Sequence, residues 1–393
     1  MVKYVSHLIL VLFFPTLIFA GSEYKRAEIS FYSETLSLDY HSSIILDGLL
    51  ILDELALVEY YERMEATNHQ PLLNQLQNYR IQYRLNDWLY YELLRKSVDL
   101  IYEREGPLKK EISLWFLLTK SGYDTRLSYV DNQVYIYAWS EEDIFETPMI
   151  RDENRRFINL SSINQAKGSS SQLKLLLYRP GSEQGQPFSF KLTELPSLRP
   201  QIANRSLSFK INDRNFNMEV EVDKTIFEVM KNYPSIAEDA YFEVPMSEIT
   251  YKSLIPRLKF MVKNLNNREA LQILVAFTRT AFEYKDDQEV FGRSRPMIAE
   301  ELLHYPYSDC EDRSALFYYL VKEILGLPML IVAYPDHLTI AVAEDQIEGL
   351  AIEHAGQQYF ICDPTGPKES NIIGLPPAGY ESIPFEILNR QKE

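Results

Sequence analysis

The strongest constraint on the fold is a repeat. The stretches EISLWFLLTKSGYDTRLSYVDNQVYIYAW at 111–139 and DRSALFYYLVKEILGLPMLIVAYPDHLTIAVA at 312–343 lie about 200 positions apart. Each reads as an amphipathic helix stopped at a glycine, then a strand, a polar turn and a second strand. LWFLL at 114–118 falls on LFYYL at 316–320, and RRFINLSS at 155–162 falls on QYFICDPT at 358–365. Upstream, RLNDWLYYELLRKSVDLIYERE at 84–105 parallels NLNNREALQILVAFTRTAFEYKDD at 264–287, both with helical apolar spacing. The same elements in the same order, at near-constant offsets, predict a tandem duplication with two separate cores. A chain of 393 residues is long enough for both.

The two copies differ in kind at a few positions. The first has Gln133 opposite His337, Leu160 opposite Asp363, and no cysteine near 108. It also lacks the insert at 288–309, roughly 20 residues, that precedes Cys310. The first copy is therefore expected to keep the scaffold without the polar chemistry. This divides the chain into a degenerate domain at 21–165, a linker with a small β segment at 166–224, and a catalytic domain at 225–393. The linker begins with NQAKGSSSQ at 164–172, and short alternating runs with turn signals follow it.

Cys310 is one of only two cysteines, and it stands at the start of the helix in SDCEDRSALFYYLVKEILGLP. Leu316, Phe317, Leu320, Val321, Ile324 and Leu325 give that helix one core-facing side, and Gly326 and Pro328 stop it. Ser308 with Glu311, or Asp309 with Asp312, fits a capping box, so the acids around the cysteine have a structural task. Free backbone N–H groups at a helix start lower a thiol pKa, whereas the neighbouring carboxylates oppose a thiolate. A nucleophile here needs a basic partner. His337, after a Pro-Asp turn, begins a strand. Asp363 closes a later one in QQYFICDPTG, where its carboxylate would orient an imidazole. A Cys310–Cys362 disulfide is the competing expectation for an exported chain. Alternation along the strand puts Cys362 on the face opposite Asp363 and so, by this expectation, away from Cys310.

The order SDCEDRSALF, LG, YPDHLTIAV, YFICDPTG resembles the transglutaminase-like superfamily of cysteine proteases and acyltransferases over about residues 245–370. FEYKDD at 282–287 fits that family's upstream helix. The resemblance implies an α+β fold with a papain-like transglutaminase core, in which a helix bearing the cysteine packs on an antiparallel sheet bearing histidine and aspartate. It implies Cys310 as nucleophile, His337 as general base and acid, and Asp363 as orienting acid. The interval from His337 to Asp363 is long for adjacent strands of that family. A hairpin in GLAIEHAGQQYFIC, turning near Ala355-Gly356, accounts for it. His354 at that turn is the lesser alternative base, and Tyr307 and Arg293 are the candidate oxyanion or substrate-binding side chains.

Residues 1–20, MVKYVSHLILVLFFPTLIFA, have the charge, apolar stretch and small-residue end of an export signal. The apolar run is too short to span a bilayer, so a periplasmic or secreted protein without a stable membrane span after cleavage is expected. A net charge of −16 with no basic run speaks against nucleic acid as a partner. With no GxxxxGK[ST], HExxH or paired CxxC, no cofactor and no metal is called for. The expected partner is a peptide or protein substrate whose amide bond is hydrolysed or transferred through a thioester. The alternative is a non-catalytic peptide-binding scaffold of the same fold.

Overall fold

The computed structural model describes residues 23–48, 52–130, 133–142, 144, 147–152, 154–163, 174–176, 185–211, 214–365 and 373–388. The expected export signal at 1–20 and the whole Gly/Ser linker at 164–172 lie outside the described residues. The fold is mixed α+β.

The first half opens with the hairpin β1 (Tyr24–Phe31) and β2 (Glu34–His41). Helices α1 (Glu54–Glu65), α2 (Gln70–Gln82), α3 (Asp87–Ile101) and α4 (Pro107–Lys120) follow. Strands β3 (Thr125–Val130), β4 (Gln133–Trp139), β5 (Met149–Asp152), β6 (Arg155–Asn159) and β7 (Lys174–Leu176) form one antiparallel sheet in the order β5-β6-β4-β3-β7. A long hairpin, β8 (Ile202–Ile211) and β9 (Arg214–Asp223), leads into α5 (Lys224–Met230), α6 (Glu238–Phe242), α7 (Glu248–Val262) and α8 (Asn267–Thr280).

The second half continues with β10 (Glu283–Tyr284), α9 (Asp287–Phe291), α10 (Ala299–Leu302), β11 (Tyr307–Ser308) and α11 (Cys310–Ile324). It closes with β12 (Met329–Tyr334), β13 (His337–Val342), β14 (Ala351–His354), β15 (Gln357–Ile361) and β16 (Glu386–Ile387). Their sheet runs β14-β15-β13-β12-β16. Counted from its own first strand, each sheet therefore has the order third, fourth, second, first, fifth. In both, a helix stopped by a glycine at positive φ, Gly122 or Gly326, leads into the first strand. The hairpin invoked for the long His337–Asp363 interval is β14–β15, turned by Ala355 and Gly356 at φ +49° and +76°. The first sheet has a counterpart in β5–β6.

Packing divides the chain differently from the boundaries expected at 166 and 225. Phe188 and Phe190, just before the long hairpin, are buried in the first core, as are Ile226, Val229, Met230 and Tyr233 on and after α5. The intervening β8–β9 hairpin turns Leu207, Phe209, Val220 and Val222 into the second core instead, against α7 and α8. The described residues of segment 166–224 are thus shared between two cores. Alternation explains the sorting, because a hairpin with one apolar face must take whichever core offers an open side. Among the described residues, no helix is long and apolar enough to cross a membrane.

Candidate active site

Helix α11 starts at Cys310 because Asp309 and Asp312 close a reciprocal capping box. Asp309 accepts from the Asp312 N–H, and Asp312 accepts from the Asp309 N–H, both at 3.3 Å. Of the two pairings the sequence allows, this is the one formed. Asp312 also accepts from the Met297 N–H at 2.9 Å, which moors the loop before α10. Buried Arg313 donates to Ser308 Oγ (2.8 Å), the Phe282 carbonyl (2.7 Å) and the Thr365 carbonyl (3.3 Å). One guanidinium thus ties the helix start to β11, to the end of α8 and to the turn after β15. Ser314 Oγ donates to the Leu338 carbonyl at 3.0 Å and fixes α11 on β13.

The sheet supplies the other two residues. His337 pairs with Tyr334 across the β12–β13 turn. The Cys362 N–H donates to the Ile340 carbonyl at 2.7 Å, so Asp363 lies opposite Thr339 on the face that carries His337. His337 Nε2 is 3.4 Å from Asp363 Oδ1 and 3.1 Å from Thr365 Oγ1. The same Oδ1 accepts from the Thr365 N–H (3.0 Å), Thr365 Oγ1 (2.8 Å) and Thr339 Oγ1 (3.2 Å). Burial alone would raise the Asp363 carboxyl, but His337 and Thr365 hold it below the usual carboxylate range. Its Oδ2 faces Arg279, buried at the end of α8, 3.7 Å away. With Nε2 turned to the carboxylate, Nδ1 is the ring nitrogen left to handle a proton in the cavity.

Cys310 and His337 line one cavity of about 340 Å³ with Leu338, Tyr334, Tyr284, Gln288 and Ser294. Five carboxylates share its wall: Asp286, Asp287, Asp309, Glu311 and Asp336. Burial pushes the Cys310 thiol up, and Glu311 and Asp309 push the same way; the Leu338 backbone N–H pulls against them. The helix start therefore does not lower this thiol as the sequence led one to expect. Asp287 is itself pushed up to about 7 by burial and by Asp309. Oxygens of Asp287, Asp309 and Glu311 lie within 4.8 Å of one another, the one set among the described residues with the spacing to hold a cation.

Both cysteines are free. Cys362 is fully buried, and its side chain enters the core between sheet and helices, the same core that Cys310 borders. The expectation that Cys362 points away from the Cys310 helix is thus corrected: α11 packs on the sheet face opposite Asp363. Tyr307 and Arg293 do not line the cavity. The Tyr307 ring packs between Tyr305 and Phe291, with Lys285 over it. His354 lies at the far hairpin beside Tyr359 and is not part of the site. Sequence reading missed Thr339, Thr365, Arg279, Gln288 and Asp336. Thr365, in the DPT run, carried the one usable signal, because a threonine two residues after an aspartate commonly bonds back to it.

No family model, curated protein or solved structure matches this chain.

Proposed function

We propose that the chain is an exported thiol hydrolase of the transglutaminase-like type, acting on an amide of a peptide or protein. His337 takes the Cys310 proton and the thiolate adds to the carbonyl carbon. The C–N bond then breaks as the imidazolium gives its proton to the leaving amine. Water, deprotonated by His337, next attacks the thioester, releasing the acid and restoring the thiol. The N–H group of Cys310 at the helix start is the candidate oxyanion donor, since the N–H groups of Glu311 and Asp312 are taken by Asp309. Asp363, supported by Thr339 and Thr365, holds the imidazole. The reading is carried by one observation: the lone thiol at a helix start and a carboxylate-held histidine open into the same cavity. The shared strand order of the two sheets supports a tandem duplication whose first copy, with Gln133 at the strand start, keeps the scaffold alone.

The test is thiol alkylation of the mature protein from pH 5 to 9 with the label located by mass spectrometry, followed by amide hydrolysis. Modification of Cys310 that slows in His337→Ala, with hydrolysis abolished in Cys310→Ala, is expected. Hydrolysis that survives Cys310→Ala refutes the reading. The raised thiol favours a second reading, a peptide-binding scaffold with an idle cysteine. Labelling as slow as in an ordinary cysteine and indifferent to His337→Ala would establish it.

A further inference from the structure

Elsewhere the fold satisfies its buried carboxylates with an arginine or, for Glu300 and Asp223, with hydrogen bonds alone. Asp124 is held by Arg126 and Arg155 at 2.5 Å each, Asp87 by Arg80 at 2.6 Å, and Glu301 by Arg295. The cavity over Cys310 differs in gathering five carboxylates on one wall beside the candidate nucleophile. Among the described residues, no lysine or arginine lines it, and none forms an ion pair with Asp286, Asp287, Asp309 or Asp336. The nearest cations are committed elsewhere: Arg295 to Glu301, Arg313 to Ser308 and two carbonyls, and Lys285 to Glu283 at 3.5 Å. Asp286 and Asp336 are exposed at the mouth, while Asp287 and Asp309 are buried behind them. Tyr284 and Tyr334 add aromatic wall.

We propose that this cavity takes an organic cation of the substrate, a lysine ammonium or arginine guanidinium beside the amide under attack, drawn by the five carboxylates of its wall. The inference rests on the hydrolase reading above and supplies its substrate class. A cation among these acids is stabilised by charge and by the tyrosine faces. It also cancels the field that opposes a thiolate, so the thiol proton passes to His337 more readily once the substrate is seated. Selectivity then appears in the rate of the chemical step as well as in binding. The four aspartates each have a cap or hydrogen bond of their own, so they do not depend on the ligand for their positions: Asp309 caps α11, Asp286 caps α9, Asp287 accepts from the Arg295 N–H and Asp336 accepts from Tyr380 at 3.0 Å.

The experiment measures iodoacetamide modification of Cys310 in the full chain at pH 7, at constant ionic strength. Butylammonium, butylguanidinium, neutral butanol or calcium ion is added in turn. Both organic cations are expected to speed modification about tenfold, the equivalent of one pKa unit, and butanol not at all. Asp287→Asn is expected to react faster without a cation and to lose most of the cation effect; exposed Asp336→Asn, which does not disturb the core, loses part of it. Peptide pairs differing by Lys or Gln next to the cleaved amide should then differ mainly in kcat. Equal rates with all additives, while modification still depends on His337, overturn this inference and leave the hydrolase reading standing. Acceleration by calcium ion alone overturns it in favour of a metal site. Loss of the His337 dependence instead removes the reading beneath it.

Discussion

The pair Arg279–Asp363 offers the sharpest test of how the site is held. Asp363 Oδ1 is bound by Thr365 twice, by Thr339 and by His337, while Arg279 meets only Oδ2, at 3.7 Å. None of the three guanidinium nitrogens of Arg279 has a hydrogen-bond partner among the described residues. At that distance, with an effective dielectric constant near 20, the attraction is worth about 4 kcal/mol, and it offsets the burial of a cation with no other support. The two ends of the pair should therefore respond unequally. Asp363→Asn strands the arginine and is expected to cost about 3–5 kcal/mol. Arg279→Met removes a poorly solvated charge and leaves a well-bonded carboxylate, so about 1–2 kcal/mol is expected. The double variant should be more stable than Asp363→Asn alone. Cys362 provides a local reporter. It is fully buried in the second core, so brief alkylation along a urea series, read on its peptide, follows the unfolding of that core. Additive losses, or an Arg279→Met variant as unstable as Asp363→Asn, would refute the account.

Other outcomes follow from the same geometry. Asp287, with its folded pKa raised to about 7, contributes stability that is full below its unfolded value near 4 and is lost as pH rises through 7. Asp287→Asn should therefore flatten the fall in melting temperature between pH 5 and 8. Asp363, held low, contributes stability that is present above pH 4 and lost on further acidification; Asp363→Asn should lessen the acid loss, read as the urea midpoint by far-UV circular dichroism. Asp309→Ala removes the α11 cap at a cost of about 1 kcal/mol, whereas Asp309→Asn keeps it. Both should make Cys310 more reactive to iodoacetamide, because each deletes a charge that opposes the thiolate. Ala355→Gly should stabilise the β14–β15 hairpin by about 1 kcal/mol, seen as a higher urea midpoint, since φ is +49° there.

Much of this was legible in the chain. The start and stop of α11, the strand start at His337 and the turn at Ala355-Gly356 all follow from periodicity and turn chemistry, which act locally. Such signals survive any tertiary context. The supports of the site were not legible, because they come from distant elements. Arg279 reads as an ordinary basic residue in the last turn of an amphipathic helix, and only packing shows that it ends beside Asp363. Thr339 looks like a strand former. The thiol illustrates the same limit: its helix-start position was visible, but the burial that raises it depends on how the loop at 284–294 and the β12–β13 turn close over it.

The exchange of segments between the two cores has a consequence for biosynthesis. Chains emerge from the ribosome N-terminus first, and a unit made wholly of early residues can fold before the next appears. Here the first core also draws on Ile226, Met230, Tyr233 and even Ile298, all made after the β8–β9 hairpin that belongs to the second. No single cut yields two complete halves. The first half must wait, part of its apolar face open, until the segment through Val244 and finally Ile298 has been translated, and the second folds against a neighbour whose final side chains it delivers itself.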